Sequence, residues 1–253
     1  MTEVRSVQVL VEGFHDRGFV SGWLSYRGWK DPGAGDAGQR IPFMNPVTGK
    51  PVASGRYGFR SPTGATFVEV VPHEGDRSML DEVPGVCRRA SPGSGVLIAL
   101  DADDDSFQRG VQRRTQAVDD RLSRDAFDPV RGEDGWCLAS GLTVDLLVWG
   151  TNGDGALPGV PAQHCLERVV ALALAQVYPA RAAAVQSWLD ARPECAAATP
   201  KAMTWSHMAG WFAETGCDAF LRHRIWDDAK VAQRMQELLD ATPATDAMRR
   251  LEA

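Results

Sequence analysis

Two short segments carry residue types able to do chemistry. Val9-Leu10-Val11-Glu12-Gly13-Phe14-His15-Asp16 ends an apolar run on an acid, and Leu97-Ile98-Ala99-Leu100 runs into Asp101-Ala102-Asp103-Asp104-Asp105. If each apolar run is a strand, alternate residues share a face, so Asp101, Asp103 and Asp105 point one way. Asp16 lies four residues after Glu12, one turn further on if a helix starts between them. Neighbouring strands, about 4.8 Å apart, would bring these carboxylates together. Unpaired, they would repel and raise one another's pKa. Divalent cations relieve that repulsion, and an all-oxygen ligand set suits Mg²⁺ or Mn²⁺. Alone, the aspartate run reads equally well as a solvated turn with a helix cap. The two acidic strand ends together carry the argument.

The charge distribution points the same way. The 253 residues have a formal net charge of −6. Residues 101–160 hold 6 basic and 12 acidic groups, which accounts for the whole excess. A basic surface over the whole chain is excluded, and the excess reads as a local site that cations would neutralise. Without metal, such a protein is expected to bind nucleic acid poorly. Arg109, Arg113 and Arg114 follow the aspartates. They read either as a solvated helix face or as forks for a phosphate backbone.

The elements that must position these residues follow from hydrophobic periodicity. Strands are expected at 7–11, 66–71, 96–100 and 142–149. Helices are expected from Phe14 to about Tyr26, at 79–89 with an interruption at Pro84-Gly85, and after Ser106 as a cap, with Phe107, Val111, Val118 and Leu122 inward. Residues 31–64 contain seven glycines and five prolines and read as an insertion, partly β-hairpin, with a tight turn at Ser61-Pro62-Thr63-Gly64. The last third reads as helices at 165–178, 180–191, 201–213 and about 218–241. The expected fold is α/β, a mainly parallel sheet flanked by helices over 1–160, with a helical part at 161–253 completing the site. Ligands of such sheets bind at the carboxyl ends of strands.

The hydrophobic-V-E-G of Val9–Gly13, followed about 90 residues later by D-x-D at Asp101 and Asp103, resembles the Toprim domain, the metal-binding module of topoisomerases, primases, recombination mediators and OLD-type nucleases. Asp16, four residues after Glu12, makes the likeness closest to OLD-type nucleases and small stand-alone Toprim-like proteins. The resemblance covers residues 7–150. It implies a later glutamate at a helix start, matched by Glu167 in Cys165-Leu166-Glu167. It also implies a lysine near another helix start, matched by Lys201 in Pro200-Lys201-Ala202. The insertion at 31–64 departs from the family.

The resemblance implies a nuclease cleaving phosphodiester bonds in DNA or RNA with two Mg²⁺ or Mn²⁺ ions. Asp101 and Asp103, with Asp105 extending the motif, would hold one ion. Glu12 would be shared or act as acid/base, Asp16 and Glu167 would favour the second ion, and Lys201 would neutralise phosphate charge. It also implies a possible role as a phage-defence effector, with a separate ATPase or regulatory subunit, or a homo-oligomer, as partner. Two alternatives stand beside it: an inactive Toprim nucleic-acid-binding or regulatory subunit, and a Mg²⁺-dependent phosphohydrolase of small molecules. Five widely spaced cysteines without C-x-x-C predict reduced thiols and a cytoplasmic setting, and no apolar stretch reaches membrane-span length. The five histidines show no ligand spacing, and Asp145 reads either as core-paired or as leaning toward the site.

Overall fold

The computed structural model describes residues 4–34, 41–125, 127–132, 135–191, 199–209 and 216–252. Residues 35–40 of the Gly/Pro-rich insertion, Cys195 and the expected helical stretch 210–213 lie outside the described residues. The architecture is α/β. The strands are β1 (Arg5–Val11), β2 (Tyr57–Arg60), β3 (Thr66–Pro72), β4 (Gly95–Asp101), β5 (Val130–Arg131), β6 (Gly135–Cys137) and β7 (Thr143–Trp149). They form one mixed sheet in the order β2-β3-β1-β4-β7-β6-β5. The helices include α1 (Phe14–Tyr26), α2 (Asp76–Arg89), α3 (Phe107–Arg124), α4 (Leu166–Val177), α5 (Pro179–Asp190) and α6 (Pro200–Ala209). Among the described residues no helix is long and apolar enough to cross a membrane.

The chain divides into two compact units, and it returns to each rather than switching once near residue 160. One comprises Met1–Ala99, Thr115–Leu147 and Asp246–Ala253, the other Leu100–Arg114 and Val148–Thr245.

In the first unit β1 is parallel to both β3 and β4, with Val11 opposite Pro72 on one side and Ala99 on the other. The β-branched runs that predict these strands are buried: Val9, Leu10, Val11, Leu97, Ile98 and Ala99 are fully inaccessible. β2 folds back antiparallel on β3 through the expected turn, where the Gly64 N–H donates to the Ser61 carbonyl at 2.9 Å. β5 and β6, which sequence periodicity does not reveal, are only two and three residues long.

α2 runs without interruption through Pro84. An interior proline costs roughly 3 kcal/mol in a helix. Met79, Val83, Val86 and Cys87 are buried on the same helix. Burial of such side chains is worth about 1.5–3 kcal/mol each, so packing wins.

The described part of the insertion is tied down by polar contacts. Glu69 of β3 is buried and receives Arg56 at 3.0 Å and Asn45 at 3.2 Å. Arg17 donates to the Gly55 carbonyl at 2.7 Å and lies over the Tyr57 ring. A final helix, outside the sequence expectation, closes the unit: Arg250, near the chain end, donates to Asp145 at 2.8 Å, and Arg5 donates to the Arg250 carbonyl at 2.8 Å. Asp145 is therefore core-paired.

In the second unit α4 is buried from Leu166 to Leu174 and packs against α5, α6 and a later helix. The single helix expected over 218–241 is instead α7 (Cys217–Ala219), a π turn over Phe220–Arg224, α8 (Ile225–Asp227) and α9 (Ala229–Asp240). Asp228 causes the break. Its carboxylate accepts the amide hydrogens of Lys230 and Val231 at 3.0 and 3.2 Å, which starts a new helix. The last helix, α10 (Ala244–Glu252), carries Arg250.

Candidate functional site

The turn after β4 is the most densely wired segment of the second unit. Asp101 ends the strand, and its Oδ1 accepts the amide hydrogen of Leu166 at 2.7 Å. It thus serves the buried N–H end of α4, whose own N-cap, Cys165, supplies no side-chain bond. This brings Asp101 to the start of the helix that carries Glu167. Burial raises the Cys165 thiol pKa, and the Asp101 and Glu167 carboxylates raise it further. The thiol donates to the Gln163 carbonyl at 3.5 Å. Asp101 is thus held at the first turn of the helix that carries Glu167, 66 positions further along the chain.

Asp103 adopts a left-handed backbone, φ 50°, which aspartate tolerates better than most residues. Its Oδ2 pairs with the Arg114 guanidinium at 2.6 Å, and its Oδ1 accepts from Gln163 at 2.8 Å. Arg114 is buried and also donates to the Asp101 carbonyl at 2.7 Å. It holds the turn, so the expectation that Arg114 meets a phosphate backbone is corrected by its burial. Arg113 donates to the carbonyls of Ala102 and Asp103 at 2.7 and 2.8 Å while remaining half exposed. Arg109, also exposed, pairs with Asp104 at 2.8 Å. The Ser106 amide and Arg109 hold the Asp104 carboxyl below its ordinary range. Asp105 is exposed.

The close approach of α3 to this turn depends on Gly110, where an added Cβ would lie 2.5 Å from the Ala102 Cβ. Ser106 precedes α3, and its carbonyl accepts the Gly110 amide hydrogen at 3.0 Å. Asp154 accepts the Phe107 amide hydrogen at 3.2 Å, and that bond chiefly lowers the Asp154 pKa. His164, fully buried and stacked on Phe107, lies 3.0 Å from Asp154 through Nε2. Thr151 donates its amide hydrogen to Nδ1, so the ring's hydrogen sits on Nε2. Burial, followed by the Arg168 charge, lowers the His164 pKa and keeps it a neutral structural group.

Arg168 is a buried organising residue that motif reading misses. It is 1 % exposed and donates to Thr151 Oγ1, to the carbonyls of Gly153, Gly155 and Ala162 at 3.0 to 3.2 Å, and to that of Pro161. Its signal is a lone arginine inside the apolar stretch Leu166–Leu174. Lys201 is exposed in the first turn of α6. It lies three residues before Thr204, whose hydroxyl donates to the Glu167 carbonyl at 3.3 Å.

Glu12 and Asp16 belong to the first unit. Glu12, half buried, directly follows β1 and accepts the Gly75 amide hydrogen through its carbonyl at 2.9 Å. Asp16 is buried in the first turn of α1.

Among the described residues, no group of three or more His, Cys, Asp or Glu side chains is placed to hold a metal ion. The Asp101 and Glu167 donor pair suits a looser arrangement. Mg²⁺ commonly keeps several waters and takes one or two carboxylates plus substrate phosphate oxygens. Asp101 and Glu167 would be the carboxylates available to such an ion, and they form no closed protein cage.

No family model matches the chain, and neither does any curated protein. Its fold is similar to that in the crystal structure of a hypothetical protein from Pyrococcus horikoshii OT3. The TM-score is 0.66 at 15% identity, over 99% of this chain and 100% of that one. At that identity the likeness speaks for the α/β fold alone.

Proposed function

We propose that the protein is a Toprim-type phosphodiester hydrolase acting on DNA or RNA with Mg²⁺ or Mn²⁺. The observation that supports this reading is the bond from the Leu166 amide to the Asp101 carboxylate, which brings Asp101 to the first turn of the helix that carries Glu167. Asp101 closes the D-x-D strand β4, and Glu167 lies in the first turn of α4, after β7, where the resemblance implies a glutamate. They are the proposed ion ligands. When bound, the ion would supply Lewis-acid charge and a more acidic water at the phosphate. Lys201 offers a fixed positive charge to the phosphate. Arg109 and Arg113, both exposed, are the proposed contacts to the polymer backbone. Glu12, Asp16, Asp103, Asp105 and a second ion enter this reading through the motif resemblance alone. The cytoplasm is the proposed compartment, supported by the free thiols of Cys87, Cys137, Cys165 and Cys217. A phage-defence role with a separate ATPase or regulatory partner rests on the resemblance as well.

A second reading, a non-cleaving Toprim binding or regulatory subunit, is favoured by the Arg114–Asp103 ion pair, which already neutralises one acid of the motif. A single experiment separates the two. Purified protein is incubated with plasmid, single-stranded DNA and tRNA in Mg²⁺, Mn²⁺ or chelator. The proposal expects metal-dependent cleavage, slowed at least about 100-fold by Glu167→Gln or Asp101→Ala. Binding without cleavage supports the subunit reading. Cleavage of p-nitrophenyl phosphate but of no polymer points to small-molecule hydrolysis. Polymer cleavage that both substitutions leave intact overturns the assignment.

A further inference from the structure

We propose that His207 is an acid-sensitive latch that fastens the loop after β7 to α5 and α6. The latch lies wholly within the second unit and does not depend on the hydrolase reading. The His207 side chain is fully inaccessible. Its Nε2 lies 2.8 Å from the Gly159 carbonyl, which can only accept, so Nε2 carries a hydrogen. Its Nδ1 is buried and has no hydrogen-bond partner among the described residues. Gly159 is where the loop returns to the interior: residues 152–158 are exposed, whereas Gly159 and Val160 are buried. Both backbone polar groups of Gly159 are held. Its amide hydrogen goes to Gln186 Oε1 of α5 at 2.9 Å, and its carbonyl receives His207 of α6. The position suits glycine, since φ is 69° and an added Cβ would lie 2.9 Å from the Ala182 carbonyl oxygen.

A second proton on this ring would go to Nδ1, where none of the described groups accepts it, in a site closed to water. Arg181 of α5, which donates to the His207 backbone carbonyl, sets a like charge beside it. Of the other charged groups on the packed helices, the Glu167 carboxylate of α4 acts on Cys165, and Arg168 of α4 is bound to carbonyls of residues 153–162. Lys201 of α6 is exposed. Burial outweighs the opposing Gly159 hydrogen bond and lowers the His207 pKa, and Arg181 lowers it further. Such a ring is neutral in the closed state and takes up its proton more readily once open to water. The closed state is therefore secure above the ordinary value of 6.5 and loses stability as pH falls below it. Opening turns the ring to water and releases the Gly159 carbonyl. The chain beyond Gly159 leads to Gln163, whose amide donates to Asp103 at 2.8 Å, so opening slackens the segment that buttresses the turn after β4.

The test uses the full chain. Hydrogen exchange of the Gly159 and Val160 amides is followed by NMR from about pH 7.5 to about pH 5, each rate taken relative to its intrinsic value at that pH. The Gly159 amide is held by Gln186 and that of Val160 by the Leu157 carbonyl, so both report opening of the loop. Wild type should exchange at least about fivefold faster at the acid end. His207→Gln, which can still donate to the Gly159 carbonyl and does not titrate, should show no such gain. Arg181→Gln, which removes the like charge beside the ring, should show a smaller gain than wild type. No acceleration in wild type, or an equal one in His207→Gln, overturns the latch. If His207→Gln does not fold, the ring decides. Nitrogen NMR of wild type should show hydrogen on Nε2 and a titration midpoint below 6.5, and a midpoint at or above 6.5 overturns the proposal.

Discussion

Two arginine–carboxylate pairs in this protein are built in opposite senses. In the first unit Arg56 meets Glu69 at 3.0 Å, with the arginine side chain 40% exposed and the acid 9%. In the second unit Arg114 meets Asp103 at 2.6 Å, with the arginine 8% exposed and the acid 39%. The distances are similar, but the buried partner differs. At Glu69 the acid is enclosed in β3, and Arg56, together with Asn45, fastens the insertion over it. At Asp103 the cation is enclosed, and the acid is left facing solvent. A buried charge without its partner is costly, whereas an exposed one is cared for by water. The exposed member of each pair is therefore the more damaging one to remove. Only at Asp103 is that exposed member an acid, which a solution cation can reach.

The comparison predicts a ranked series, read by urea unfolding of metal-free protein. Asp103→Ala should be the most damaging, because it takes a carboxylate partner from the buried Arg114 guanidinium. About 3 kcal/mol is expected, the low end for a broken buried pair, since the Asp101 carbonyl remains as a partner. Arg56→Ala should cost about 2 kcal/mol, because Glu69 keeps the Asn45 amide. Glu69→Gln removes the buried charge and keeps its shape, so a loss below about 1 kcal/mol is expected. If Glu69→Gln proved worse than Arg56→Ala, the burial argument would fail for this pair.

The smallest effect concerns pH. Asp104 titrates below its ordinary value of 3.8, owing first to the Ser106 amide and then to Arg109. A lowered folded-state pKa stabilises the fold above the unfolded value, and that contribution disappears as pH falls through the folded value. Asp104→Asn should therefore flatten the acid limb of Tm against pH below about pH 4 while changing the neutral region less. An unchanged acid limb would remove Asp104 from the wiring of the turn.

Much of the frame was legible because local pattern and tertiary environment agree. The β-branched runs at Val7–Val11 and Val96–Leu100 became buried strands, and Phe14–Tyr26 became α1. The turn at Ser61–Gly64 formed where proline and glycine spacing expects it. What escaped the sequence depends on partners far along the chain. Asp154 caps α3 from 47 residues away, and no local spacing announces it. Pro84 signals a break, yet the burial around it lets α2 continue. Asp228 breaks a periodic helix through its own side chain. At the candidate site, the Asp101 carboxylate reaches the start of the helix that carries Glu167, whereas Arg114, which reads as a solvated face or a phosphate contact, is buried in the turn.

The central claim is that Asp101 and Glu167 form the ion-binding pair of a phosphodiester hydrolase. Its most direct test is electron paramagnetic resonance of Mn²⁺ titrated into metal-free protein, with and without a single-stranded oligonucleotide. The account predicts protein-bound Mn²⁺ in wild type, strengthened by the oligonucleotide and lost in Glu167→Gln. An absence of bound Mn²⁺ in wild type under both conditions, or equal binding by the variant, would contradict it.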